Sequence, residues 1–302
     1  MALKQIKNKI ISTKKTGKVT KAMEAVSAVK MRKSQERAFL ARPYVHTAMR
    51  ILNRLAASRA LHTHALSENR AGNKVLLLVI TSDKGLAGSV NGAVLRKVEE
   101  YRKSGVDFSI ISVGRKAVEY AERNNLDILG RFTNVSDGVQ LNEVEAITKL
   151  LTETYLKDKT YARVEVIYQN FLSTFEQLPT KRQIIPLLPG EINEILLGIK
   201  PKTGKYSHEE LTLDTVLGHT VEPGEDEVIN TLLPQLIQIL IFHAFLESKA
   251  CEHSARMVAM KNATDKSGEM VKFLTIKFNK ARQAAITAEV SEITAGAEAM
   301  KN

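Results

Sequence analysis

Tryptophan is absent from the 302 residues, aromatic side chains make up 5%, and Cys251 is the only cysteine. Each scarcity excludes something. A chain this poor in aromatic rings is thinly equipped to stack bases or sugars. One cysteine excludes an internal disulfide framework and fits a reducing compartment. Long hydrophobic runs are also missing. The densest, Leu232–Leu246, contains Pro234, Gln235, Gln238 and His243. It falls short of the ~20 apolar residues a bilayer crossing needs, so no transmembrane span is expected. The hydrophobic (44%) and charged (25%) fractions are ordinary for a globular chain, which excludes wholesale disorder. At about 150 residues per domain, the length allows one large domain or two small ones.

Positive charge is present in excess, and in one place. Residues 1–59 hold 15 Lys/Arg against the two acids Glu24 and Glu36, a local balance of +13, whereas residues 60–230 carry 20 basic against 24 acidic groups. Such asymmetry marks a segment that meets something acidic. Nucleic acid, an acidic protein loop and a merely solvated face all remain open, because regularly spaced Lys/Arg neutralise phosphates without any sequence readout.

The same 58 residues read as one long helix, broken only by Gly17 and Pro43. Leu3, Ile6 and Ile10 fall at helical spacing, as do Val19, Ala22, Val26 and Val29, with a slip of phase near Gly17. This helix is too basic to fold alone and requires a partner. The far end of the chain supplies one. From Leu236, alternating steps of three and four reach Ile239, His243, Leu246, Ala250, His253, Met257, Met260, Thr264, Ser267, Val271, Leu274, Phe278 and on through Ala281 to Ala299. Fourteen of the nineteen positions are apolar. A heptad sustained over this length predicts a coiled coil, with a slim alanine-rich end; from Asp226 onward it would extend on the order of 110 Å.

Between the helices the texture changes. Val75–Thr81 is a continuous apolar β-run of the kind buried on both faces. A helix over 89–103, a strand over 108–113, a helix over 115–124, a short strand over 128–132, a helix over 142–156 and a strand over 163–168 follow. The alternation predicts a Rossmann-like α/β domain with a mainly parallel sheet. Residues 171–230 collect most of the prolines and an acidic patch at 222–227; they read as strands and surface loops feeding the last helix. The fold expected is therefore an antiparallel coiled coil of terminal helices, 1–58 and 226–302, flanking a central α/β domain, 59–225.

No catalytic or ligand set emerges from these residues. Ser82–Asn91 sits where a phosphate loop would, between a buried strand and a helix. It has neither GxxxxGK[ST] nor GxGxxG order, so a structural turn is expected ahead of a nucleotide site. The seven histidines form no HExxH pattern. His62 and His64 are neighbours in an expected loop, and His243 and His253 fall on the heptad seam, where polar residues fix register. Cys251 has no CxxC partner and reads as a packing residue.

Four long motifs, in order, carry a resemblance. They are Ile6–Ser12 with Thr16–Met23, Ile80–Gly88, Glu252–Asp265, and Phe278–Thr287 with Glu289 and Glu292–Glu298. Together they resemble the gamma subunit of F-type ATP synthases of bacterial type, and the likeness spans the chain. Two departures stand out: Ala87 occupies a position where the family often has cysteine, and the cysteine-containing insert of the chloroplast version is missing. The resemblance implies a central rotor stalk within a ring of alpha and beta subunits. The α/β domain would meet the epsilon subunit and the c-ring, peripheral on the cytoplasmic side of the cell membrane. It implies no catalysis, no cofactor or metal of the chain's own, and no nucleic-acid partner. Residue by residue, Arg282 and Gln283 match the pair that hydrogen-bonds a catch loop on beta. Met23 matches a position beside an acidic beta lever, with Lys84 near it. His219 and Glu222 match positions facing the c-ring. The chain begins directly in the shaft helix, so an unprocessed organelle precursor is not expected.

Overall fold

The computed structural model describes residues 3–55, 58–187, 222 and 224–300, with backbone only at 41–42, 44–46, 48–50, 52–54 and 298. The chain divides into two compact units, one formed by Met1–Ser27 with Met257–Asn302 and the other by Ala28–Arg256.

The larger unit is built on five strands: β1 (Lys74–Ile80), β2 (Phe108–Val113), β3 (Ile128–Phe132), β4 (Tyr161–Phe171) and β5 (Gln177–Ile185). They lie in the order β3-β2-β1-β4-β5. β1 to β4 are parallel and β5 closes the edge antiparallel to β4. Pro179 interrupts no central ladder because β5 is an edge strand, where a missing N–H is tolerated. The helices are α1 (Leu3–Arg54), α2 (Arg59–Thr63), α3 (Val90–Ser104), α4 (Arg115–Arg123), α5 (Leu141–Lys157) and α6 (Glu225–Ala299).

The all-apolar β1 has a direct structural reason. Val75, Leu77 and Val79 point into a core with Val94, Val98, Ala117 and Ala121 of α3 and α4. Leu76, Leu78 and Ile80 point the other way, into a core with Val144 and Leu151 of α5 and with Leu233, Ile237, Ile241 and Phe245 of α6. Both faces of the strand are thus covered, as parallel sheets require. One 18-residue window of α6 is apolar enough to cross a bilayer by length and composition. Its buried face belongs to this core, which accounts for the hydropathy. α3 ends on Gly105 at φ 70°, the left-handed stop that glycine supplies without strain. α5 begins with a capping box, the Gln140 backbone N–H donating to Glu143 Oε2 at 2.7 Å.

In the smaller unit α1 and α6 run antiparallel. A Cβ at Gly17 would stand 3.3 Å from Ser267 Cβ, and Thr20 Oγ1 lies 2.7 Å from Thr264 Oγ1. Three residues forward on one helix are matched by three back on the other. The expected stripe is not the seam of this unit: Val19 and Val26 are exposed and Thr20 and Ser27 are buried instead, and Val29, in the larger unit, is exposed as well. Small hydroxyl residues permit close approach, and their donors are satisfied within the helix. Ser27 Oγ donates to Met23 O at 2.7 Å and Thr264 Oγ1 to Met260 O at 2.9 Å.

The heptad predicted on α6 also ends early. Met260 and Leu274 are buried and Ala281 is half-buried, but Ala285, Ala288, Ala295 and Ala299 are exposed. Because α1 begins at Leu3, the register runs out opposite Ala281. No described residue of α1 is in register with residues 282–299, and Ile286, Val290 and Ile293 are exposed.

Candidate functional site

In a doubly wound sheet, ligands bind beyond the carboxyl ends of the strands where the strand order reverses. Here that point lies beside β1, flanked by β2 and β4. The Ser82–Asn91 loop sits there and is tied from within. Ser82 N–H donates to Asn91 Oδ1 at 2.9 Å, Asn91 Nδ2 donates to Ser82 Oγ at 2.7 Å, and Asp83 Oδ1 accepts from the Arg115 N–H at 3.0 Å. Leu86 (φ 61°) and Gly88 (φ 59°) turn the backbone outward. Behind the loop, Ser248, Lys249 and Glu252 of α6 fill the crevice and leave a cavity of about 10 Å³ against Thr81, Asp83 and Gly114. That is room for one water. The loop is a structural turn packed on a helix.

The helix that fills the crevice brings buried charges with it. Arg256 Nη2 donates to Glu252 Oε1 at 2.7 Å, and Arg256 reaches Gly85 O through Nε at 3.4 Å and Nη2 at 3.3 Å. Lys249 Nζ stands 3.6 Å from Glu252 and 3.9 Å from Asp137, and donates to Val135 O at 3.1 Å. Asp137, in the loop between β3 and α5, also accepts from Lys30 of α1 at 2.5 Å and lies 3.3 Å from His253 Nε2. One carboxylate thus fastens α1 and α6 to the sheet. Burial opposes ionisation of Asp137, but the Lys30 hydrogen bond and the charges of His253 and Lys249 outweigh it and hold the carboxyl below its ordinary range. Burial lowers the affinity of His253 for a proton, and Arg256 and Lys249 add to this against the pull of Glu252 and Asp137. Burial likewise pushes the Cys251 thiol up, with the Glu247 charge adding to it, and Cys251 Sγ donates to Gln169 O at 3.5 Å. This is the packing role expected of it.

Both His253 and Asp137 tie stability to pH in the same sense. The unfolded chain takes up a proton on His253 more readily than the folded one, so stability falls as the pH drops below about 6.5. The low Asp137 value adds stability that is present above about pH 4 and lost as the pH falls through its folded range. Urea unfolding between pH 8 and pH 3 is expected to show both phases. Asp137→Asn should flatten the acid one, and an unchanged acid limb in that variant would contradict the assignment.

The residues singled out from the sequence fall in both units. Arg282 and Gln283 are exposed on the end of α6, and Met23 is half-buried on α1. On the antiparallel register Met23 is opposite position 261; Arg282 lies 21 residues beyond, about 30 Å along the helix. Lys84 is exposed on the loop described above and Glu222 is exposed ahead of α6. His219 lies outside the described residues. His62, expected in a loop, sits in the one-turn helix α2, and His64 is its C-cap. Sequence reasoning missed Asp137, Lys249, Glu252 and Arg256 as a group. Its signal was the placing of Lys249, Glu252 and Arg256 on an otherwise apolar helix face.

Comparison with known proteins agrees with this architecture. A family model described as ATP synthase matches residues 2–300. The ATP synthase gamma chain of Heliobacterium modesticaldum is 35% identical over 298 residues, covering 99% of both chains. That of Moorella thermoacetica is 36% identical over 301 residues, again covering 99% of each. Among solved structures, a chain of the Euglena gracilis mitochondrial ATP synthase (OSCP/F1/c-ring) superposes with a TM-score of 0.67 at 18% identity, covering 99% of this chain and 94% of that one. A chain of the Tetrahymena thermophila central stalk/c-ring assembly gives 0.56 at 24% identity, covering 81% and 99%. These two likenesses establish the fold: an α/β domain with long terminal helices. The chain belongs to the ATP synthase gamma-chain family.

Proposed function

We propose that the chain is the central stalk of an ATP synthase, turning within a ring of alpha and beta subunits and carrying rotation from a c-ring to the ring's nucleotide sites. The observation that supports this reading most directly is the end of α6. Eighteen residues, 282–299, lie beyond the described length of α1 with apolar side chains uncovered, a form suited to a surrounding protein collar. The chain itself is not a catalyst. It acts by presenting different faces to successive ring subunits, so that each subunit's open and closed states are biased by unequal contact energies. Arg282 and Gln283 would hydrogen-bond a catch loop on beta, the planar guanidinium suiting a carboxylate better than lysine would. Met23 and Lys84 would face an acidic lever on beta. Glu222, with His219, would face the c-ring, and the epsilon subunit would bind the α/β domain. The assembly would be peripheral on the cytoplasmic side of the cell membrane, with domains divided as shaft helix 1–58, α/β body 59–225 and shaft helix 226–302.

Co-expression with alpha and beta subunits from the same organism tests the reading. The full chain is expected to co-elute as one copy per ring and to be required for full ATPase. A chain ending at Lys261 is expected to lose at least about tenfold of that stimulation, a barrier change of about 1.4 kcal/mol. A full chain that elutes apart, with ATPase indifferent to it, would overturn the proposal.

A further inference from the structure

The end of α6 carries a second heptad stripe, on the side away from α1. Ile276, Asn279, Gln283, Ile286, Val290 and Ile293 follow one another at steps of three, four, three, four and three, and all six are exposed. Leu274, buried, and Ala281, half-buried, mark the face turned to α1. Ile276 and Gln283 each stand two residues past one of them, roughly 200° round the helix. The apolar members are well uncovered, from Ile286 at 51% to Ile276 at 69% exposed. Side chains at this spacing fit another helix lying along them.

Two properties of the stripe select a second copy of itself. The first is its spacing. The order three-four-three-four-three reads the same from both ends, so an antiparallel copy keeps every position in register. Ile276 meets Ile293 of the second copy, Asn279 meets Val290 and Gln283 meets Ile286, each twice by two-fold symmetry. Asn279 and Gln283 are polar seam positions of the kind that fix register at a cost in affinity.

The second property is charge. Arg282 and Glu289 each stand one residue ahead of a seam position, on one flank, whereas Lys280 and Thr287 each follow one, on the other flank. In an antiparallel pair like flanks face each other. Arg282 of each copy then lies beside Glu289 of the other, giving two ion pairs, and Lys280 faces Thr287. A parallel pair would set Arg282 against Thr287 and Glu289 against Thr294, with no ion pair at either. Lys277 and Glu292 project from the back of the helix in both arrangements. Among the described residues neither Arg282 nor Glu289 has an ion pair within its own chain, so both charges are available.

We infer that the chain outside a ring pairs with a second copy of itself through residues 276–293 of α6, as a short antiparallel coiled coil. This goes beyond the central-stalk reading, which concerns the chain inside a ring. Arg282 and the stripe cannot serve both at once, so the two copies would separate on assembly. A seam this short, with two polar positions, supports weak association, with a dissociation constant of about 10–100 µM.

Sedimentation equilibrium of the full-length chain at low salt is the measurement. The wild-type mass is expected to rise from one chain toward two between about 1 and 300 µM. Ile286→Glu should weaken the pairing at least about tenfold by burying a charge in the seam. Arg282→Glu and Glu289→Arg, made singly, each set like charges side by side and should weaken it about tenfold. The double swap, Arg282→Glu with Glu289→Arg, restores opposite charges and should recover the wild-type association. All three positions are exposed, so thermal unfolding of the α/β body is an unchanged control. A mass that stays at one chain up to about 300 µM overturns the inference. So does a dimer that the double swap fails to restore, or one that Ile286→Glu leaves unaltered. Each of these results leaves the stalk reading standing, because that reading is decided by binding to the ring.

Discussion

Glu252→Ala is expected to destabilise the larger unit by about 3–5 kcal/mol, the range found when one partner is removed from a buried ion pair. Glu252 is the only carboxylate in contact with Arg256 among the described residues, and it also faces Lys249. All three side chains are buried. Removing the carboxylate leaves two cations in a place that water cannot readily reach, one of them held by Gly85 O and the other by Val135 O and Asp137. At roughly 2–4 °C per kcal/mol for a body of this size, thermal unfolding should move down by about 10 °C. The comparison that isolates the cause is a double variant, Glu252→Leu with Arg256→Met, in which charge and counter-charge leave together. It should recover much of the loss. A single variant that melts within about 2 °C of wild type would mean that Arg256 is satisfied by its carbonyl contacts alone.

Gly114→Val carries an expected cost of similar size for an unrelated reason. Gly114 follows β2 at φ 85°, a conformation costly for a residue with a side chain and most costly for a branched one. A Cβ there would meet the carbonyl of Thr81, standing 2.6 Å from its carbon and 2.9 Å from Thr81 Oγ1. No flexible side chain can give way, because the obstacle is backbone. Thr81 Oγ1 donates to Val113 O at 3.0 Å and accepts from the Ala117 N–H at 2.8 Å, while the Gly114 N–H donates to Phe132 O at 2.8 Å. The substitution would pry β1, β2 and α4 apart where all three meet. A loss of about 3–5 kcal/mol in chemical unfolding is expected. A loss under about 1 kcal/mol would show that the turn relaxes to a negative φ.

The sheet was legible because its residues state their surroundings plainly. Val75–Ile80 has no polar position and must be covered on both sides, and each following helix begins within a few residues of the expected place. β5 was harder to see: Thr180, Lys181, Arg182 and Gln183 are polar because one side of an edge strand faces water. The antiparallel pairing of α1 and α6 was legible in outline and wrong in detail on α1. Apolar spacing pointed to Val19, Val26 and Val29. The seam is made instead by Gly17, Thr20 and Ser27, whose small size brings the helices together and whose hydroxyls bond their own helix. Hydrophobicity alone cannot find such a seam. The charged group around Asp137 escaped for a different reason: the placing of Lys249, Glu252 and Arg256 on α6 was a signal, but it did not name their partners. Its members lie 30, 137, 249 and 252–256 residues along the chain, and only the folded sheet brings them together. Arg282 and Gln283 were placed by their motif alone, and nothing in the local geometry of one bare helix would have selected them.

The unpaired length of α6 has a consequence for supply in the cell. Residues 282–299 continue a helix that is already nucleated, but with little packing to hold them they fray in a solitary copy and open more readily than the core. Opened backbone with Ile286, Val290 and Ile293 exposed is a substrate for proteases and chaperones. Enclosure in an assembly withdraws that substrate. Surplus copies would be cleared at their tails while incorporated ones persist, and the amount of this chain would follow the number of rings available to receive it.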